Sequence, residues 1–424
     1  MFQRKEIITA VEIATSKVRV LVGEADEEGR GVVLGYCERS TDNGVCKGEI
    51  TDLDKVIPAL REAIEEADAA SGFELDRNRI FLALSGGGVA STQGIGTVIP
   101  ANRDGRITHQ DISEAQKNAL NRSIGYDRVI LNTFESGCLI DGRPVRNPLG
   151  QSAEKLEVCV HIIHGHRKRV DNFINALRDF GFNPDHIKPV FSGAAAVFGT
   201  LTMEERENGV LLIDFGAGTT EAAAVMHDGM QASCITSVGF QHLANDLAVG
   251  LDVHISSCMK MLVDGSLQKA KEADLSFIEI KERPNSAMRK VPINSIEKII
   301  ALRLQETIDI VQRKLERDTP GILGSLGSGC VVTGGGSLFS PTLEVCRRQL
   351  GMPVRCGRPI NVGASHPELQ SPCCGVIWGA FRYGLEMRNV LEEGDDRNIL
   401  ERGIEAVDSM VMKKAQALKR ALKI

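Results

Sequence analysis

Two segments of this chain carry the same pattern: ITAVEIATSKVRVLVGEADEEG from Ile8 and GVLLIDFGAGTTEAAAVMHDG from Gly209. Each reads as an apolar strand ending in an acid (Glu12, Asp214), a turn of small residues, a second apolar strand and a polar turn with glycine. One glycine hairpin is common and usually binds nothing, but a matched pair implies two related halves. If each hairpin opens a half of similar fold, the turns face each other across a cleft and their N–H groups converge on phosphates. The first turn would offer Ala14, Thr15, Ser16 and Lys17, the second Gly216, Ala217, Gly218 and Thr219. Gly216 and Gly218 admit an anion close to the backbone because no Cβ intervenes. Glu12 and Asp214 are then placed to hold Mg²⁺ through water, as a small hard cation that keeps several waters requires.

A third segment, GCVVTGGGSLFSP (Gly329 to Pro341), brings an apolar strand, Cys330 to Thr333, to Gly334, Gly335 and Gly336. A helix is expected from Ser337, with that serine as its N-cap. A strand, glycines and a helix start suit a phosphate or the flat face of a nucleoside. Neither the dinucleotide fingerprint nor the P-loop is present.

At 424 residues, the chain has room for two to four domains of roughly 100–200 residues each. A net charge of −6 excludes the chain as a whole from being an electrostatic partner of nucleic acid. The 4% aromatic share argues against a stacking platform for bases. The start of the sequence lacks a small-residue cleavage site, and no stretch approaches a spanning helix, so a cytoplasmic protein is expected. Eleven cysteines without a CxxC fit a reducing compartment. His161, His164 and His166 alternate along VCVHIIHGH as in a strand and lack a completed ligand set, which makes them structural.

The three glycine motifs, in this order, resemble those of the actin-like ATPase superfamily, and further segments narrow the likeness to the FtsA family. These are GVCKGEITDLDKV, IFLALSGGGVAS, GRPVRNPLG, RVDNFINALRDFGFNPDHI and SVGFQHLANDLAVGL. The resemblance implies an α/β, actin-like two-lobed ATPase fold, duplicated RNase H-like domains with an FtsA-type inserted α/β subdomain. It places the first lobe at 1–84 and 167–195, the insertion at 85–166, and the second lobe at 196–251 and 327–390, with its own insertion at 252–326. PVFSGAAAVFGTL and SPCCGVIWGAFRYG resemble the small-residue helices that connect the lobes. ATP with Mg²⁺ is the implied ligand, and Lys260 the basic candidate on the helix that resembles the family's ribose and adenine contact. Self-association and binding of the FtsZ C-terminal tail are the implied partnerships. Arg303 and Glu306 lie where the long helix resembles the FtsZ-tail surface.

Two residues depart from the family pattern: Ala14 stands where glycine is preferred, and Glu221 where aspartate is usual. Both bear on water and metal positioning, so slow or negligible hydrolysis is expected. After a linker at 391–402, residues 403–424 form a basic amphipathic pattern. Ile404, Val407, Val411, Leu418 and Leu422 share one stripe, with Lys413, Lys414, Lys419, Arg420 and Lys423 around it. The pattern suits an anionic membrane surface. A protein peripheral on the inner face of the cell membrane at the division site follows from the resemblance. The alternative is a PilM-like pilus assembly platform that binds the tail of an inner-membrane partner.

Overall fold

The computed structural model describes residues 7–26, 30–72, 79–102, 104–121, 124–282, 288–363 and 365–392. The predicted membrane helix at 403–424 and all but the first two residues of the predicted linker lie outside them. Two five-stranded sheets share one topology. In the first, Ile7–Ile13 pairs antiparallel with Lys17–Ala25, which pairs with Gly31–Ser40; Ile80–Leu84 and then Ile187–Phe191 extend it in parallel on the other side. In the second, Val210–Phe215, Thr220–Met226 and Gly229–Thr236 make the same meander, and Cys330–Thr333 and Val354–Cys356 the same parallel extension. The repeat in the sequence is therefore a repeat of the fold.

Near-continuous apolar runs buried on both faces, such as AVEI and VLLI, account for the central strands. Two helices cross between the lobes, Ser192–Thr200 and Gly375–Glu392. Pro189–Phe191, expected to open the first of these helices, instead ends the parallel strand. The second helix runs through Glu392, two residues into the predicted linker. A Cβ on Gly379 would stand 1.7 Å from the Ala195 carbonyl oxygen, and one on Gly199 2.1 Å from that of Gly375. Only glycine lets the two backbones approach this closely.

Between the fourth strand of the first lobe and the first crossing helix sits a separate antiparallel sheet: Val89–Val98, Leu156–His166, Arg128–Ile140 and Arg143–Val145. The helix His109–Leu120 covers it, started by a capping box between Thr108 and Asp111. The histidines belong to this sheet. His161 is buried, its Nε2 2.8 Å from Ser233 Oγ, and His164 Nδ1 accepts from Arg128 Nε at 2.8 Å. Ser91 Oγ donates to the Ser233 carbonyl at 2.9 Å and Gln93 Nε2 to that of Gln231 at 2.7 Å. The inserted sheet is thus hydrogen-bonded to the outer strand of the second lobe.

The second lobe's own insertion contains a two-stranded ribbon, Phe277–Lys281 with Met288–Pro292, and the helix Ile293–Asp318. Ile296, Ile300, Leu304, Ile308 and Val311 line the buried side of that helix. All eleven cysteines are free. No helix among the described residues is long and apolar enough to cross a membrane.

Candidate functional site

The two hairpin turns meet. A Cβ on Gly218 would stand 2.5 Å from Thr15 Oγ1 and 3.0 Å from the Lys47 Cα, so glycine there lets the second lobe's turn reach the first lobe. Each turn spends one N–H on its own closure, has carbonyls tied back by neighbouring segments, and leaves its next two N–H groups spare. In the first, Ala14 N donates to the Lys17 carbonyl at 2.9 Å, while Thr41 donates through Oγ1 to the Thr15 carbonyl (2.7 Å) and through N to that of Ser16 (3.2 Å). In the second, Gly216 N donates to the Thr219 carbonyl at 2.9 Å. Phe240 N and Gln241 N, at the start of the helix Phe240–Leu251, take the carbonyls of Gly216 and Ala217 at 3.0 and 2.9 Å. Among the described residues the N–H groups of Thr15, Ser16, Ala217 and Gly218 meet no backbone acceptor. Successive unpaired N–H groups of this kind form an anion-binding concavity. Ala14 does not adopt a positive φ, so alanine causes no backbone strain at that position.

The glycine run completes one wall. Gly334 has φ 78°, and a Cβ there would lie 2.0 Å from Asp214 Oδ1. Gly335–Leu338 is a short 3-10 turn, and the α-helix begins only at Ser340. Ser337 is therefore not the N-cap expected of it: its hydroxyl donates back to the Gly334 carbonyl at 2.7 Å inside the tight turn.

Three acids gather beneath the turns, in different surroundings. Glu12 Oε2 is bound by Arg19 Nη1 at 3.0 Å, both side chains buried. Arg19 also reaches Glu38, which holds Lys17 Nζ at 2.6 Å. Asp214 sits directly across the hairpin from Glu221. Glu221, 3% exposed, accepts hydrogen bonds from Ser192 Oγ at 2.6 Å and from Ser85 Oγ. Ser85 is also 3.0 Å from Thr219 Oγ1. Ser85 and Ser192, from the first lobe, thus tie down an acid of the second; the small-residue context of LALSGGG and FSGAAA was the only signal for them. Burial, reinforced by the Glu12 charge, raises the Asp214 carboxyl well above the ordinary aspartate range. Burial and Asp214 likewise raise Glu221, against the hydrogen bonds from Ser192 and Ser85.

A carboxyl raised in the folded state holds a proton that the unfolded chain releases. Its contribution to stability is complete below the unfolded value and is lost as pH rises through the folded one. With Glu221 moved from 4.5 to about 8, the ligand-free protein will lose thermal stability between about pH 5 and pH 8. Glu221→Gln will flatten that slope in a pH series of melting curves.

Other sequence candidates lie elsewhere. Lys260 is exposed on the helix Ile255–Val263, its charge beside Asp264. Arg303 grips the Asp246 carboxylate with two nitrogens, Nη2 to Oδ1 at 2.9 Å, and Glu306 with a third at 2.6 Å. Its guanidinium thereby joins two helices of the second lobe, whereas the Glu306 side chain stays 55% exposed.

Two lobes of one topology, joined by crossing helices around a cleft, are shared with solved structures. A PilM–PilN type IV pilus biogenesis complex matches with TM-score 0.58 at 15% identity, over 90% of this chain and 99% of that one. MreB5 of Spiroplasma citri bound to ADP matches with TM-score 0.52 at 13% identity, over 92% and 99%. The fold is that of the actin-like ATPases. The family described as cell division protein FtsA matches residues 211–373, and the SHS2 domain inserted in FtsA matches residues 86–164. The chain belongs to the FtsA family. It is 26% identical over 407 residues to the cell division protein FtsA of Neisseria meningitidis, covering 95% of this chain and 96% of that one. It is 24% identical over 395 residues to that of Escherichia coli, covering 90% and 91%.

Proposed function

We propose that this chain is an ATP-binding cell-division protein that self-associates and tethers FtsZ filaments to the inner face of the cytoplasmic membrane, with slow or negligible hydrolysis. The observation that carries the reading is the pair of apposed turns whose carbonyls are tied back and whose N–H groups are spare. Four such groups from two lobes suit a polyphosphate that holds the lobes together. Among the described residues no three His, Cys, Asp or Glu side chains are grouped to hold a metal ion. Mg²⁺ would therefore arrive on the phosphate oxygens, with Asp214 as its carboxylate; Glu12 already has Arg19 as its counter-ion. Slow turnover fits Glu221, which is clamped by two serines and biased toward its protonated form, poor properties for orienting a water. Nucleotide then acts by favouring one subunit shape.

The membrane part rests on the basic amphipathic sequence of residues 403–424, and the FtsZ part on the family together with the exposed Glu306 side of the long helix. The test is sedimentation of FtsZ filaments with anionic liposomes. The full chain with ATP will carry FtsZ down with the lipid, and a chain ending at residue 402 will not. Equal sedimentation by both chains, or none by either, would overturn the reading.

A further inference from the structure

The GVCKGEI segment contributes a cation to the cleft that the sequence motifs do not assign. Lys47 and Gly48 both adopt left-handed backbone, φ 51° and 73°. Gly48 N donates to Thr15 Oγ1 at 3.0 Å, which fastens the segment to the first hairpin turn. A Cβ on Gly48 would stand 2.6 Å from Gly86 N, so the backbone of the LSGGG turn packs against it as well. The Lys47 Cα abuts Gly218 of the second turn, at the spare N–H groups described above. On the far side, burial first and then the charges of Lys47 and Arg303 push His242 down, which puts the Lys47 ammonium within electrostatic reach of the helix that follows the second turn.

The two lysines near the turns therefore differ. Lys17 Nζ is committed to Glu38 at 2.6 Å. Lys47 is exposed and forms no ion pair among the described residues. A cation free of any carboxylate, fixed by its backbone to both phosphate turns, is available to an anion at no cost in broken ion pairs.

We propose that Lys47, from the first lobe, is the side chain that binds the phosphate chain of the nucleotide across from Gly218, the role that the motif pattern would give to Lys17. The inference rests on the nucleotide reading above. Lys47→Gln keeps a Cβ and thus the same backbone preference, and its surface position leaves the melting temperature unchanged. It will weaken ATP binding by about tenfold, the worth of one charge-assisted hydrogen bond. Lys47→Arg will restore most of the affinity. The gap between the unaltered protein and Lys47→Gln will narrow as KCl is raised, because the lost term is a screened charge. Lys17→Ala will change ATP affinity by less than about threefold, since its charge is already paired. Titration calorimetry with ATP and Mg²⁺ on the full chain reads all four. If Lys47→Gln binds ATP as the unaltered protein does, or if Lys17→Ala causes the larger loss, this inference is overturned while the nucleotide reading stands. If the unaltered protein binds no ATP, both fall.

Discussion

Gly379→Val will be the most destabilising single substitution in the helices that join the lobes. Its first side-chain carbon would lie 1.7 Å from the Ala195 carbonyl oxygen, and the obstruction is backbone, which cannot rotate away as a side chain could. The contact is reciprocal, since Gly199 meets the Gly375 carbonyl at 2.1 Å and the Gly379 amide nitrogen at 3.0 Å. Any added carbon must therefore separate two helices that also carry Trp378, Phe381 and Ala195 in the main core. Overpacking of this kind costs about 3 kcal/mol or more, enough to lower the melting temperature by roughly 6–12 °C at 2–4 °C per kcal/mol for a protein of this order of size. Gly324→Ala is the control: nothing lies within 4 Å of its added carbon. Equal melting temperatures for the two variants would contradict the packing described here.

Gly334→Ala will combine a stability loss with a loss of nucleotide binding. Left-handed backbone at φ 78° costs an alanine about 1–2 kcal/mol by itself. Its methyl would also stand 2.0 Å from Asp214 Oδ1 and 2.7 Å from the Phe215 carbonyl. Asp214 must swing away, which removes the carboxylate assigned to the metal and shifts the glycine turn. ATP affinity is expected to fall by about a hundredfold, some 2.7 kcal/mol. A second substitution separates the two effects. Asp214→Ala in the same chain removes the contact with Oδ1, leaving that with the Phe215 carbonyl, and will recover part of the stability without recovering binding, a non-additivity of the kind that neighbours show. Denaturant melts alongside ATP titrations check both arms; full recovery of binding in the double variant would show that Asp214 has no part in the site.

The duplicated hairpins were legible because a strand buried on both faces must be apolar throughout, and a turn between two such strands must be small. The apolar residues of NSIEKIIALRLQETIDIVQRKLERD recur at helical spacing, and the helix Ile293–Asp318 begins one residue before that segment. Most of what the sequence did not show depends on partners distant in the chain. The ion pair of Lys17 with Glu38 joins residues of two different strands, which neither segment announces by itself. Arg303 reads as a surface cation until Asp246, on another helix, takes two of its nitrogens. Glu221 reads as an aspartate one methylene too long, yet its length lets it meet Ser85 and Ser192 of the opposite lobe. Ser337 failed as a cap for a local reason: three glycines allow a 3-10 turn that the residue completes from within.

The bonds from Ser91, Gln93 and His161 to the strand Gly229–Thr236 make the inserted sheet a brace between lobes. It leaves and rejoins the first lobe at Ser85–Gly88 and at His166, but it grips the second. A rotation that widens the cleft must either tear these bonds or drag the sheet along, turning it about its two junctions with the first lobe. The angle between the lobes is thereby transmitted to a surface far from the glycine turns. A neighbour seated on the outer side of that sheet would be levered by the cleft without touching it.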